Sequence, residues 1–362
     1  MDEFATLQQI AVRARRNIGD GVWDYLMGGS ESETTLRRNR LAFDALGIAP
    51  RILRDVAEVD PSTEFLGNRI RIPVMLAPIG SMQLIGEGGG LASAEAAGEF
   101  GTISFLSSVT EPTMEVVGPA TDAPKVFQLY VRGDDDWIGD QVKAAQDSGF
   151  TMFCLTVDTA IYSRRERDII KRWAPSSRRG RLNESREWQA ALNWDNIKTF
   201  KDRHDIPLIV KGIATAEDAA TAVEHGVDVV YVSNHGGRQL DHGRGTAEVL
   251  PEIVDAVGGK AEIVLDGGIM RGTDVIKALA LGATAVCIGK LQGLALAAGG
   301  RAAIVRMLEL LEGEIMTSMA LTGLHNFGEI GPEFVEEAEP VTDPLVLSQY
   351  THIDLSPLEY ER

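Results

Sequence analysis

Eight short apolar, β-branched runs recur along the middle of the chain: Pro73–Pro78, Thr102–Ser107, Val126–Val131, Thr151–Val157, Pro207–Lys211, Val227–Ser233, Glu262–Asp266 and Thr284–Gly289. Each is too short for a helix and apolar on both faces, which is the pattern of a strand buried in a parallel sheet. The stretches between them carry helix signals. Thr215 stands at an N-cap position before Ala-Glu-Asp-Ala-Ala, and the segment from Gly272 ends at the glycine stop Gly282. Strand and helix alternating in this way predict an α/β fold, the (β/α)8 TIM barrel.

At 362 residues the chain exceeds what such a barrel needs. Leu7, Ile10, Ala11 and Ala14 at helical spacing, then Val22–Met27 and a polar helix to about Phe43, predict a helical cap over residues 1–50. From Gly331 the tail holds eight acidic residues (Glu333, Glu336, Glu337, Glu339, Asp343, Asp354, Glu359, Glu361) and one Arg, and reads as a peripheral acidic extension, 331–362. The expected organisation is a single domain over 1–362, with the barrel at 73–330.

Thirty-five basic against 53 acidic residues give a net charge of −18, which disfavours polyanions and acidic membrane surfaces. No run approaches the ~18 apolar residues of a membrane span. Cys154 and Cys287 lie inside predicted strands and read as buried free thiols, without metal-ligand or disulfide spacing. A cytoplasmic protein handling small molecules is expected, with no bound metal.

In a barrel the chemistry belongs on the loops after the strands. The sixth run, Val229-Val-Tyr-Val-Ser-Asn, delivers His235-Gly-Gly-Arg238. Two glycines let the backbone bend, so that a base and a cation can face one small anion. Taken alone, the histidine fits a structural role as well as a catalytic one. Other polar groups fall at equivalent ends: Pro78-Ile79-Gly80, Ser107, Gln128-Leu-Tyr130, Thr156 and Asp158, Lys211, Asp266-Gly267-Gly268, and Gly289-Lys290.

Ser233-Asn-His-Gly-Gly-Arg-Gln239, together with Trp23-Asp-Tyr25-Leu-Met-Gly-Gly and the order of these strand ends, resembles the FMN-dependent α-hydroxy-acid dehydrogenase and oxidase family. That family includes glycolate oxidase, lactate oxidase, lactate monooxygenase and mandelate dehydrogenase. The resemblance implies FMN as cofactor and a 2-hydroxy acid of the L/S series, oxidised to the 2-oxo acid with O2 or another acceptor taking the electrons. It implies His235 as base, Asp158 as its orienting carboxylate, and Arg165, Arg238, Tyr25 and Tyr130 around the substrate carboxylate. For FMN it implies contacts from Pro78, Ile79, Gly80, Ser107, Gln128, Tyr130, Thr156, Lys211 and Ser233. Asp266, Gly267, Gly268, Met270, Gly289 and Lys290 would form the phosphate end. By the same analogy the protein is a homo-oligomer, a tetramer in many relatives.

The chain departs from that pattern in places. Met270 stands where the family has arginine, and Lys290 where it has a second one. Arg271 lies one residue along, so weakened FMN binding is expected. Val109 replaces the tryptophan of glycolate oxidases, which opens the pocket, while Tyr162 refills part of it. Gly80 replaces an alanine common in the oxidases, as in mandelate dehydrogenase and lactate monooxygenase. Oxidative decarboxylation by a monooxygenase therefore stays open, as does a flavin-dependent isomerase or a non-catalytic flavin-binding protein. Arg164–Arg186 carries nine basic residues and corresponds to the family's lid, either a solvated loop or a basic gate for anions.

Overall fold

The computed structural model describes residues 4–175 and 186–352. Eight parallel strands close into a barrel: β4 Val74–Leu76, β5 Ser104–Ser107, β6 Lys125–Leu129, β7 Met152–Thr156, β8 Leu208–Ile213, β9 Val229–Val232, β10 Glu262–Leu265 and β11 Ala285–Ile288. The eight predicted runs contain these strands or overlap them closely. Closure is made where β11 pairs with β4, Cys287 lying opposite Met75.

Side chains alternate across each strand. Met75, Phe105, Val126, Met152, Cys154, Ile209, Val229, Tyr231, Val264, Ala285 and Cys287 fill the barrel interior. Their neighbours Leu76, Phe127, Phe153, Val210, Val230 and Leu265 pack outward against the helices. The two-residue period continues past the interior layer. Ser107, Gln128, Thr156, Lys211, Ser233, Asp266 and Gly289 all share the inward parity, so one end of the barrel is floored by polar groups. At the opposite end a hairpin, β2 Thr63–Phe65 with β3 Asn68–Ile70, inserts Phe65 and Ile70 as a plug.

The cap consists of α1 Leu7–Asn17, α2 Asp20–Met27 and α3 Thr34–Asp44. Helix α1 is closed by a capping box from Thr6 and Gln9 and buries Leu7, Ile10, Ala11 and Ala14. The tail is less peripheral than its composition suggests. Strand β12 Val335–Glu337 pairs antiparallel with β1 Leu46–Ile48, and Tyr350 is buried, donating to the Met270 carbonyl at 3.1 Å. An acidic sequence marks its solvent face; the few apolar side chains decide where it docks. Asp354, Glu359 and Glu361 lie outside the described residues.

Candidate active site

A cavity of about 320 Å3 opens at the polar end of the barrel, beneath α2 and α3. His235 stands on its wall, half-buried, with Nδ1 2.9 Å from Asp158 Oδ1 and Nε2 3.3 Å from the Tyr130 hydroxyl. The carboxylate selects the tautomer in which Nδ1 carries the proton, which leaves Nε2 with its lone pair toward the cavity. Burial holds the imidazole below its ordinary pKa, against the opposing pull of Asp158. Asp158 loses solvation too, yet His235 and Lys211 bring its carboxyl below the usual range. A neutral imidazole beside an ionised carboxylate is the state a general base requires.

Two guanidinium groups face the same space. Arg238 stacks 4.9 Å over the Tyr25 ring and donates to the Tyr25 carbonyl and, at 3.0 Å, to that of Gly28. Burial and the nearby Arg165 lower it to about 10. Arg165 is buried, lies 4.3 Å over Tyr162, and leaves its Nε without a hydrogen-bond partner. Tyr25 donates to the Gly80 carbonyl at 2.9 Å. Two guanidinium groups lining one cavity can receive a carboxylate.

The remaining predicted residues form the floor and one end. Lys211 is buried, 2.8 Å from Ser233 Oγ and 3.4 Å from Asp266. Gln128 is fully buried; its amide nitrogen donates to Thr156 Oγ1 at 2.9 Å, but its oxygen has no partner. An orphaned acceptor there suits the N–H edge of an isoalloxazine ring. Ser107 is buried at the end of β5 beside these groups, and Pro78, Ile79 and Gly80 form the neighbouring wall. Gly267 and Gly268, at φ +96° and +87°, turn the chain after β10 around the cavity end, with Gly289 opposite them. This set fits FMN in size, in its orphaned acceptor and in its backbone cradle.

The phosphate end has the predicted shortage of cations. Met270 is buried, and Arg271 turns away to Glu314 at 3.0 Å. Arg40 of α3 reaches the same end, but its guanidinium is paired with Asp274 at 2.6 Å and Asp44 at 3.1 Å. Lys290 donates to the Gly28 carbonyl at 3.3 Å; burial first, then Arg238, hold its pKa well below the ordinary value. Removed from water beside other cations, it gains from any anion that enters.

Several supporting residues carried no sequence signal. Asp241 is buried and accepts from the Thr35 amide at 2.8 Å and the Ser32 hydroxyl at 2.8 Å, joining α3 to the His235 loop. Asn39 and Asn234 exchange two amide hydrogen bonds, at 2.9 and 2.7 Å. Gln189, on the helix Arg186–Ala191, accepts from the Val131 amide at 2.7 Å and donates to the Thr156 carbonyl at 2.8 Å. All three are long-range bonds, and nothing periodic announces them. Of the basic segment, Arg178, Arg179 and Arg181 lie outside the described residues, as does the side chain of Arg186. Arg167 and Lys171 are described and paired with acids of the cap.

Comparisons with known proteins identify the family. Residues 14–337 match the family described as FMN-dependent dehydrogenase. A 2-hydroxyacid oxidase of Dictyostelium discoideum is 37% identical, over 92% of this chain and 91% of its own. An L-lactate oxidase of Nostoc is 36% identical, covering 89% and 95%. Among solved structures, mandelate oxidase superposes with a TM-score of 0.87 at 34% identity, covering 93% of this chain and 99% of that one. The chain therefore belongs to the FMN-dependent dehydrogenase family, and it is a flavoprotein oxidoreductase whose cofactor is FMN.

Proposed function

We propose that the protein oxidises the hydroxyl-bearing carbon of an L/S-2-hydroxy acid to the 2-oxo acid, with O2 or another acceptor receiving the electrons. The observation that carries this reading is the convergence of the Asp158–His235–Tyr130 chain and the Arg165/Arg238 pair on one cavity. A carboxylate held between the two arginines places its own α-carbon and hydroxyl beside His235 Nε2. Bound FMN supplies the two-electron acceptor. His235 removes a proton from the hydroxyl or from the α-carbon, and Asp158 stabilises the imidazolium so formed. Tyr25 and Tyr130 turn their hydroxyls from Gly80 and His235 to the substrate oxygens when the substrate enters; burial raises both phenols, so they remain protonated donors. Lys211, whose pKa is raised by Asp266 and Asp158 against the effect of burial, keeps a positive charge on the cavity floor, where it would offset negative charge on bound FMN. Gln128 and Thr156 would hold the polar edge of the FMN ring, and the turn of Asp266, Gly267 and Gly268, with Gly289 and Lys290, would hold its phosphate.

Val109 and Tyr162 both line the cavity, and a valine in the place of a tryptophan supports a substrate larger than glycolate. The relatives are named for substrates from lactate to mandelate, which supports that range. Two buried free thiols suit a reducing, cytoplasmic setting, and no helix among the described residues is long and apolar enough to cross a membrane. Assembly as a homotetramer is proposed on family analogy, and sedimentation velocity measures it directly.

The test is anaerobic mixing of the FMN-loaded protein with glycolate, (S)-lactate, (S)-mandelate and (S)-2-hydroxyoctanoate. At least one member bleaches the oxidised flavin band; if all four leave it unchanged, the reading fails. His235→Gln keeps its FMN and slows bleaching by about 10²- to 10⁴-fold, the usual worth of a positioned base.

A further inference from the structure

The substrate arginine Arg165 precedes the helix Glu166–Ile170, whereas the substrate tyrosine Tyr25 lies on α2, far away in sequence. The two elements are fastened by charges that the proposed chemistry does not use. Asp24, adjacent to Tyr25 and 2% exposed, sits 2.6 Å from Lys171 Nζ and 3.6 Å from Arg167. Asp20, one turn earlier on α2, lies 3.9 Å from the same lysine.

A second carboxylate completes the contact. Glu33 is held at φ +60°, a left-handed conformation that a non-glycine residue adopts at some cost. In that position one oxygen accepts from Arg167 at 2.6 Å and the other from the Gly29 amide at 2.9 Å. The Gly28–Gly29 turn thus fixed offers the Gly28 carbonyl to both Arg238 and Lys290. Trp173 packs on the same helix pair, its ring 5.4 Å from that of Tyr25 and against Gly21, where a β-carbon would fall 2.5 Å from the indole. The Glu31 amide donates to the Arg164 carbonyl at 2.8 Å.

We propose that Asp24 and Glu33, with Lys171 and Arg167, form an ionic clasp that positions Arg165, Arg238 and Tyr25 as one carboxylate receptor. These four are positioning residues. They touch none of the reacting atoms, but they hold two elements at the separation the substrate spans. Without the clasp, each guanidinium must be oriented anew when substrate binds, and that ordering is subtracted from affinity. The proposal rests on the hydroxy-acid reading.

The test removes the basic half, whose side chains are partly exposed, and a cooperative urea transition together with bound FMN shows that the variant is folded before its kinetics are read. The double variant Lys171→Met/Arg167→Met is loaded with FMN and compared with wild type, using whichever of the four hydroxy acids bleaches the wild-type flavin. KM rises about tenfold, kcat stays within about twofold, and bound FMN is unchanged. In an Arg165→Met background the same double change moves KM by less than about threefold, because no guanidinium is then left on the Arg165 side whose separation from Arg238 and Tyr25 the clasp would set. A KM unaltered by the double variant overturns the proposal, as does a tenfold rise that persists without Arg165. Failure of the hydroxy-acid reading is recognised separately, because the wild-type flavin then fails to bleach at all.

Discussion

His235 adopts a left-handed backbone conformation, φ +60°, and is followed by Gly236 and Gly237 at +63° and +74°. Such a conformation costs a non-glycine residue on the order of 1 kcal/mol or more and persists only where the surroundings impose it. Here the Ser233 hydroxyl accepts the His235 amide at 3.0 Å, and Gly237 is pressed so closely on α3 that a β-carbon would lie 2.5 Å from the Leu36 backbone. The strain places the imidazole between Asp158 and Tyr130. Because the folded pKa of His235 lies below its ordinary value, the base is neutral at and above pH ~6.5, and kcat/KM falls only at lower pH. Asp158→Asn removes the charge that favours the imidazolium. The acid limb of the profile then moves to still lower pH while the plateau drops by about 10²-fold or more; an unchanged plateau would show that the pairing is only structural. The phosphate end gives a second test at this scale. Met270→Arg places a guanidinium where Arg271 and Arg40 cannot serve, and FMN binds about tenfold more tightly, as measured by quenching of flavin fluorescence.

Helix α3, whose Leu36 and Arg40 line the cavity, holds the loop that carries His235, the proposed base. One of its attachments to that loop is Asp241, whose buried carboxylate accepts from Thr35 and Ser32. Burial raises the carboxyl, but these hydrogen bonds outweigh it and bring the pKa down to about 2. A carboxyl with a folded pKa below its unfolded one stabilises the fold above the unfolded value and loses that contribution as pH falls through the folded one. The difference corresponds to about 2 kcal/mol, present at pH 7 and lost progressively below pH ~4. Asp241→Asn is therefore destabilised relative to wild type in urea titration at pH 7, and the gap narrows at pH 3. A gap independent of pH would assign the role to packing instead of charge.

The molecule as a whole carries a formal charge of −18, but its cavity is lined by Arg165, Arg238, Lys211 and Lys290, with Asp266 as their acidic neighbour. The surface repels anions in general while the cavity lacks the negative charge that would balance it. A phosphate and a carboxylate supply that balance. FMN at about a hundred times its Kd stabilises the apoprotein by about 2.7 kcal/mol, read as a rise in Tm, and removing the cofactor reverses it. Inorganic phosphate raises the Tm of the apoprotein more than chloride at equal ionic strength. Equal effects would mean that the cavity has no particular affinity for the dianion.

Repetition made the barrel legible from the sequence alone. Eight apolar runs of strand length, with helical or loop material between them, leave few ways to bury their faces, and period-two alternation fixes which side chains point inward at each strand end. The groups from Ser107 to Gly289 were readable for that reason, as were His235 and Arg238, because glycines mark the turn that carries them. Only the tertiary structure could supply what holds those groups in register. Asp241 on Thr35, Gln189 on Val131, Glu33 on Arg167 and Tyr350 on Met270 are single polar contacts between distant segments. A single contact has no period, and the same residues in the same order would suit a solvated surface equally well. The sequence determined which chemistry the barrel presents, because periodicity governs the direction of each side chain. Tertiary packing alone decided how the cap and the Arg165 turn close over it, because that depends on distances between elements, which the one-dimensional pattern does not contain.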